Sequence, residues 1–261
     1  MEGFGNLPEL THLSLFSGIG GLDLAAEMAG FRTVGQCEWA DFPRSVLEKQ
    51  WPDVPRWRDV HELTADEFFK RTGSRTVTCI SGGFPCQPHS VAGKRKASGD
   101  ERDLWPEMRR IIGEIKPRWV VAENVRGLLS SEYGRFFLGV LRDFAELGYD
   151  VGWGVTSAAA VGAIHRRERV AIVAHSHIDG LQGRKEFCTE RRNGEQLFPG
   201  FLQDSPGHDI SELQSYGNDN GVPDRVDRLK CLGNAVVPQQ FYPVFKAIAE
   251  VEAQVNEILP I

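Results

Sequence analysis

Two things are scarce in this chain of 261 residues: paired cysteines and surplus positive charge. The five cysteines, Cys37, Cys79, Cys86, Cys188 and Cys231, lie far apart, and no two stand in a C-x-x-C spacing. That argues against a disulfide scaffold, a zinc ribbon or a dithiol redox couple, and fits a reducing intracellular setting. No metal is expected. Asp and Glu outnumber Lys and Arg by 36 to 30, for a net charge of -6, so bulk charge would not hold a polyanion. Local clusters would have to do so. Lys94-Arg95-Lys96, Arg109-Arg110, the run from His165 to Arg169, Arg184-Lys185 and Arg191-Arg192 allow a basic face on an acidic body. Taken singly, each is the ordinary solvated face of a globular protein. No apolar run approaches the roughly eighteen residues of a membrane span. Met1 to Leu10 is polar and acidic where a secretory leader would be basic and then apolar. The expectation is a soluble, cytoplasmic protein.

What is present is alternation. Short β-rich apolar runs at 12–16, 32–37, 76–81, 118–122, 151–156 and 169–174 are separated by stretches with apolar residues at helical spacing, at 22–29, 42–50, 65–70, 105–116 and 134–147. This order predicts an α/β fold, a doubly wound and mostly parallel sheet, with ligands gathered at the carboxyl ends of its strands. From about 175 to 222 the chain turns rich in Gly, Asp, Asn, Ser and Gln with no clear period, as an insertion or small second lobe would. A helix over 239–255, with Phe241, Val244, Phe245, Ile248 and Val251 on one stripe, is expected to pack back on the main domain.

Several strand ends carry residues suited to chemistry. The first runs through Phe16-Ser17-Gly18-Ile19-Gly20-Gly21 into a helix, a turn that lets backbone approach a ligand closely; a purely structural strand-to-helix turn reads the same way. Glu38 ends the second strand, placed to accept hydrogen bonds from ribose hydroxyls, with Trp39 as a stacking surface for a purine; singly, they read as a surface acid and a core aromatic. Gly82-Gly83-Phe84-Pro85-Cys86-Gln87-Pro88-His89-Ser90 reads as a loop holding Cys86 outside regular structure, which argues against a merely packed thiol. Glu123-Asn124-Val125 ends the next strand and could meet Cys86 across one crevice. Arg167 and Arg169, two apart, should share a face and could bind carboxylate or phosphate. Gly233-Asn234-Ala235 precedes the last helix, with Pro238 in its first turn.

In this order these segments resemble the cytosine-C5 DNA methyltransferase family, bacterial and phage type. The carriers are Phe16-x-Gly18-x-Gly20-Gly21, Gly82-Gly83-Phe84-Pro85-Cys86-Gln87, Glu123-Asn124-Val125, Arg167-x-Arg169 and Gly233-Asn234-Ala235. Weaker matches are Glu38-Trp39, Asp59-Val60 and the run from Arg102 to Glu107. The Pro-Cys-Gln loop together with Glu-Asn-Val is the specific part; each glycine motif alone is not.

The resemblance implies a Rossmann-like methyltransferase sheet that binds S-adenosyl-L-methionine through Phe16, Gly18, Gly20, Gly21, Glu38, Trp39, Asp59, Val60, Leu104, Asn234 and Ala235. It implies that Cys86 adds to C6 of a cytosine flipped out of double-stranded DNA, making C5 able to attack the donor's methyl group. Glu123 would then contact N3 and the exocyclic amine, Arg167 would hold the base, and Arg169 would orient Glu123. The implied layout is a catalytic domain at 1–175, a target-recognition lobe at 176–228 and a segment at 229–261 returning to the catalytic domain, with 91–102 as a closing loop. A monomer is expected, serving restriction-modification or phage self-protection in a bacterium or infected host. His165 stands where many relatives have Gln, and the lobe is short. Two other classes stay open: a tRNA cytosine-C5 methyltransferase and a non-catalytic DNA-binding relative.

Overall fold

The computed structural model describes residues 9–85, 103–176 and 235–258. Seven strands form one sheet: β1 (Thr11–Leu15), β2 (Arg32–Cys37), β3 (Arg56–Trp57), β4 (Cys79–Gly83), β5 (Trp119–Val125), β6 (Tyr149–Ser157) and β7 (Glu168–Ser176). Their order across the sheet is β3-β2-β1-β4-β5-β7-β6. β7 runs antiparallel to both neighbours, so β6 points with β5 and the remaining pairs are parallel. The expected doubly wound, mostly parallel sheet is present.

The helices are α1 (Gly21–Met28), α2 (Asp41–Gln50), α3 (Ala65–Thr72), α4 (Trp105–Ile115), α5 (Arg135–Glu146) and α6 (Pro238–Ile258). Local chemistry marks their ends. Thr64 accepts a hydrogen bond from the Glu67 amide at the start of α3, and Gly73, at φ 73°, closes it in the left-handed conformation that glycine adopts freely. In α4 the spacing of Met108, Ile111, Ile112 and Ile115 gives one apolar stripe, fully buried.

Strand alternation divides the core into two layers. On one face Ile80, Val120, Ala122, Ile172 and Ala174 meet Phe68 of α3, the α4 stripe, and Phe137, Val140 and Phe144 of α5. On the other Cys79, Trp119, Val121, Ala171 and Val173 meet Leu22, Ala25 and Ala26 of α1 and Phe241, Val244, Phe245 and Ile248 of α6. The last helix is thus part of the fold. Glu252 fastens it, accepting a hydrogen bond from Trp119 Nε1 at 2.7 Å and pairing with Arg118.

Three local readings change. Gly82 and Gly83 belong to β4, because strand pairing continues past Ser81: a side chain at Gly82 would lie 2.9 Å from the Leu15 carbonyl oxygen. β5 likewise runs through Glu123-Asn124-Val125, paired with β7 up to Arg169. β3 is an added strand, too short for any sequence period to reveal.

Candidate active site

A cleft of ≈ 720 Å³ opens where the carboxyl ends of β1, β2, β4 and β5 meet the start of β7. Its walls are Phe16 to Ile19 with Gly21 and Leu22, Glu38 with Ala40 to Pro43, Gly83 to Pro85, Glu123 to Val125, Arg169, and Ala235 with Val236. The volume suits a ligand of cofactor size.

The first wall is shaped by unusual backbone. Phe16 and Gly18 both have positive φ, 52° and 55°, turning the chain sharply off β1. Glu38 then bridges to it, its two carboxylate oxygens accepting hydrogen bonds from the Gly18 amide at 2.8 Å and the Ala40 amide at 2.9 Å. Each oxygen keeps a lone pair for a further donor, as a diol would supply. Gly21 is needed for a different reason: a side chain there would lie 2.4 Å from the Val236 carbonyl oxygen of the returning segment. This wall thus combines a glycine turn, an acid with spare acceptor capacity, and Phe16 and Phe42 as apolar surfaces.

The second wall carries the titratable groups. Glu123, on β5, and Arg169, on β7, project from the same sheet face, and Arg169 Nε stands 2.8 Å from Glu123 Oε1. Burial pushes the Glu123 pKa up to about 7, against the pull of the Arg169 and Arg167 guanidiniums. Arg167 immediately precedes β7 with φ 35° and hydrogen-bonds the Ala235 carbonyl. On the opposite sheet face Asn124 Nδ2 donates to the Phe84 carbonyl at 2.9 Å, while the Phe84 ring packs on Trp105 at 5.1 Å. That fixes Phe84, the residue before Pro85.

Phe16, Gly18, Gly21, Glu38, Glu123, Arg169 and Ala235 thus line one cleft. The rest sit elsewhere. Gly20 packs under Trp51, which a side chain would meet at 2.5 Å. Trp39 is 65% exposed, with the Arg58 guanidinium 5.6 Å from its ring centroid. Asp59 accepts from the His61 amide at 2.9 Å and from its ring, Val60 lies in the core, and Leu104 packs half-buried at the start of α4. Cys86, Asn234, the 91–102 loop and the lobe from 177 to 228 lie outside the described residues.

Sequence reasoning missed Ala40 to Pro43 and Asn124 as wall residues. The first follow Glu38 directly, and Asn124 sits inside a motif already singled out. Among the described cysteines, Cys37 and Cys79 are buried in strands, and burial pushes both thiols well up, so neither can serve as a nucleophile at neutral pH.

The chain is similar to several methyltransferases. The Type II methyltransferase M.BsuFI of Bacillus subtilis is 31% identical over 227 residues, 84% of this chain and 53% of that protein. M.NgoMIV of Neisseria gonorrhoeae, also a Type II methyltransferase, is 35% identical over 166 residues, 64% of this chain and 52% of its own length. The chain spans about half the length of these curated relatives. Among solved structures, a protein described as a DNA modification methyltransferase of an E. coli prophage superposes with a TM-score of 0.57 at 26% identity, covering 64% of this chain and 47% of that one. The Dnmt2 methyltransferase of S. pombe shares the fold, with a TM-score of 0.52 at 21% identity over 76% of this chain and 62% of that one. The family model for C-5 cytosine-specific DNA methylases matches residues 10–224, most of the sequence, and this chain belongs to the C-5 cytosine-specific DNA methylase family.

Proposed function

We propose that the chain methylates C5 of a cytosine flipped out of double-stranded DNA, acting as a monomer in a bacterial or phage-infected cytoplasm. The observation that carries this reading is the Glu123–Arg169 pair facing the cleft beside the clamped Phe84-Pro85 backbone, one residue before Cys86. Family membership and the Type II relatives support it.

The chemistry follows from what cytosine lacks. C5 is a poor nucleophile until another group adds at C6. Cys86, as thiolate, would form that bond, moving electron density to C5. Glu123, protonated near neutral pH, would donate to N3 and accept from the exocyclic amine, a pattern that thymine reverses. Arg169 would hold Glu123 in this orientation, and Arg167 would hold the base. S-adenosyl-L-methionine, held by Phe16, Gly18, Gly21 and Glu38 on the first wall, supplies an electrophilic methyl group when bound. Loss of the C5 proton to a base then expels Cys86. Residues 1–175 would carry this chemistry with 229–261 packed against them, while 176–228 would choose the target sequence.

The test is incubation with tritiated S-adenosylmethionine and mixed-sequence duplex DNA, with a 5-fluorocytosine duplex in parallel. Label in 5-methylcytosine and a covalent complex absent from Cys86→Ala are expected. Donor binding without label or adduct on DNA would move the assignment to RNA or to a non-catalytic binding role.

A further inference from the structure

Arg167 is held in a conformation that its own sequence does not favour. Its φ of 35° lies in the left-handed region, uncommon for any residue but glycine, and it ends the turn joining β6 to β7. Such a residue persists only where the surroundings over-determine it. They do so here. The preceding carbonyl, of Arg166, accepts from Ser157 Oγ at 2.7 Å and from the Ala158 amide at 2.8 Å. The Arg167 carbonyl accepts from Gln240 Nε2 at 3.0 Å.

Gln240 is the distant member of this set. It lies in the first turn of α6, 73 residues along the chain, and is completely buried. The same amide nitrogen also approaches the Thr156 carbonyl, at 3.3 Å, so one side chain ties the end of β6 to the residue before β7. Five residues before Gln240, Ala235 accepts the Arg167 guanidinium. Main chain and side chain of Arg167 are thus both fixed by the returning segment. Among the described residues the buried Gln240 side chain bonds two strand-end carbonyls, and for packing alone an apolar residue would serve as well. Its donors are what the position requires.

We propose that Gln240 is a positioning residue for the methyl-transfer site: it locks the strained backbone of Arg167 so that the guanidinium stays on the Ala235 carbonyl at the wall of the cleft. The inference rests on the proposed cytosine chemistry for its consequence, though not for its geometry. It makes the last helix part of the site. It also explains why a segment following the 177–234 stretch must return to the sheet.

Two measurements test it on the full chain. Hydrogen–deuterium exchange of a peptide spanning 157–168 should quicken in Gln240→Met, which keeps the side-chain volume and removes the donors. Should that variant fail to fold, Gln240→Glu keeps the shape and acceptors and serves instead. Second, the single-turnover rate of adduct formation with 5-fluorocytosine duplex should fall by about tenfold or more in Gln240→Met, with donor binding unchanged. In an Arg167→Ala background the same change should cost less than about twofold, because a residue acting through Arg167 has nothing left to position. Unchanged exchange, or losses that multiply independently, would overturn the proposal. Wild-type protein forming no adduct would defeat the cytosine reading instead, leaving the exchange result to decide the clamp.

Discussion

Glu123 Oε1 accepts from Arg169 Nε at 2.8 Å, yet the Glu123 pKa rises to about 7, because burial outweighs the two neighbouring guanidiniums. The carboxyl therefore titrates where the enzyme would work. If the protonated form holds N3, kcat/KM for methyl transfer should fall as pH rises through about 7. Arg169 gives the largest opposing pull, so Arg169→Gln should move that fall to higher pH as well as lowering the rate. A pH profile of each protein checks this; a fall at the same pH in both would assign it to another group.

The same shift makes a stability prediction. Glu123 binds its proton more tightly folded than unfolded, where its pKa is near the ordinary 4.5. Folding stability from this group is fully present below about 4.5 and is lost as pH rises through about 7. Glu123→Gln does not titrate, so its stability relative to wild type should rise with pH, by an amount on the order of 2–3 kcal/mol between pH 4.5 and 8. Urea midpoints at several pH values measure it. The variant should gain on wild type as pH rises and be far less active.

Much of this site was legible because its residues sit at strand ends, where apolar alternation stops and polar residues begin. Glu38, Glu123 and Arg169 were found that way, and all line the cleft. The strand limits were less legible. Gly82 and Gly83 look like loop formers, but both pair in β4, and glycine is there because a neighbour leaves no room for a side chain. Reversal of β7 was hidden as well, since the 158–167 turn carries no pattern marking its direction. Asp59 came from the resemblance alone and here turns to His61, while Trp39, read as a stacking surface from its place after β2, turns to solvent. Gln240 could not be found from sequence, because its partners are backbone carbonyls contributed by a distant turn.

Gly83 supplies a test separating chemistry from folding. A side chain there would come within 2.7 Å of Glu123 Oε2, while Arg169 holds the other oxygen. Gly83→Ala should displace the carboxylate and lower kcat by about tenfold or more. The backbone at Gly83 is ordinary extended strand, so the thermal midpoint should move little. A large fall in midpoint with near-normal kcat would show that the fold, rather than Glu123, absorbs the added methyl.

Glu252 tests whether the last helix matters to the whole domain. It is 2% exposed and accepts from Trp119 Nε1 at 2.7 Å while pairing with Arg118, just before β5. Glu252→Ala leaves the buried indole N–H without its acceptor and should destabilise the protein by about 2–3 kcal/mol in urea unfolding. Glu252→Gln, which keeps an acceptor for the indole, should recover most of that loss. Since α6 also carries Gln240, and Val236 precedes it against Gly21, loosening its far end should weaken donor binding and adduct formation together. Gln240→Met, by contrast, should spare donor binding. Equal effects of both variants on donor binding would mean that α6 moves as one body and that its first turn has no separate role.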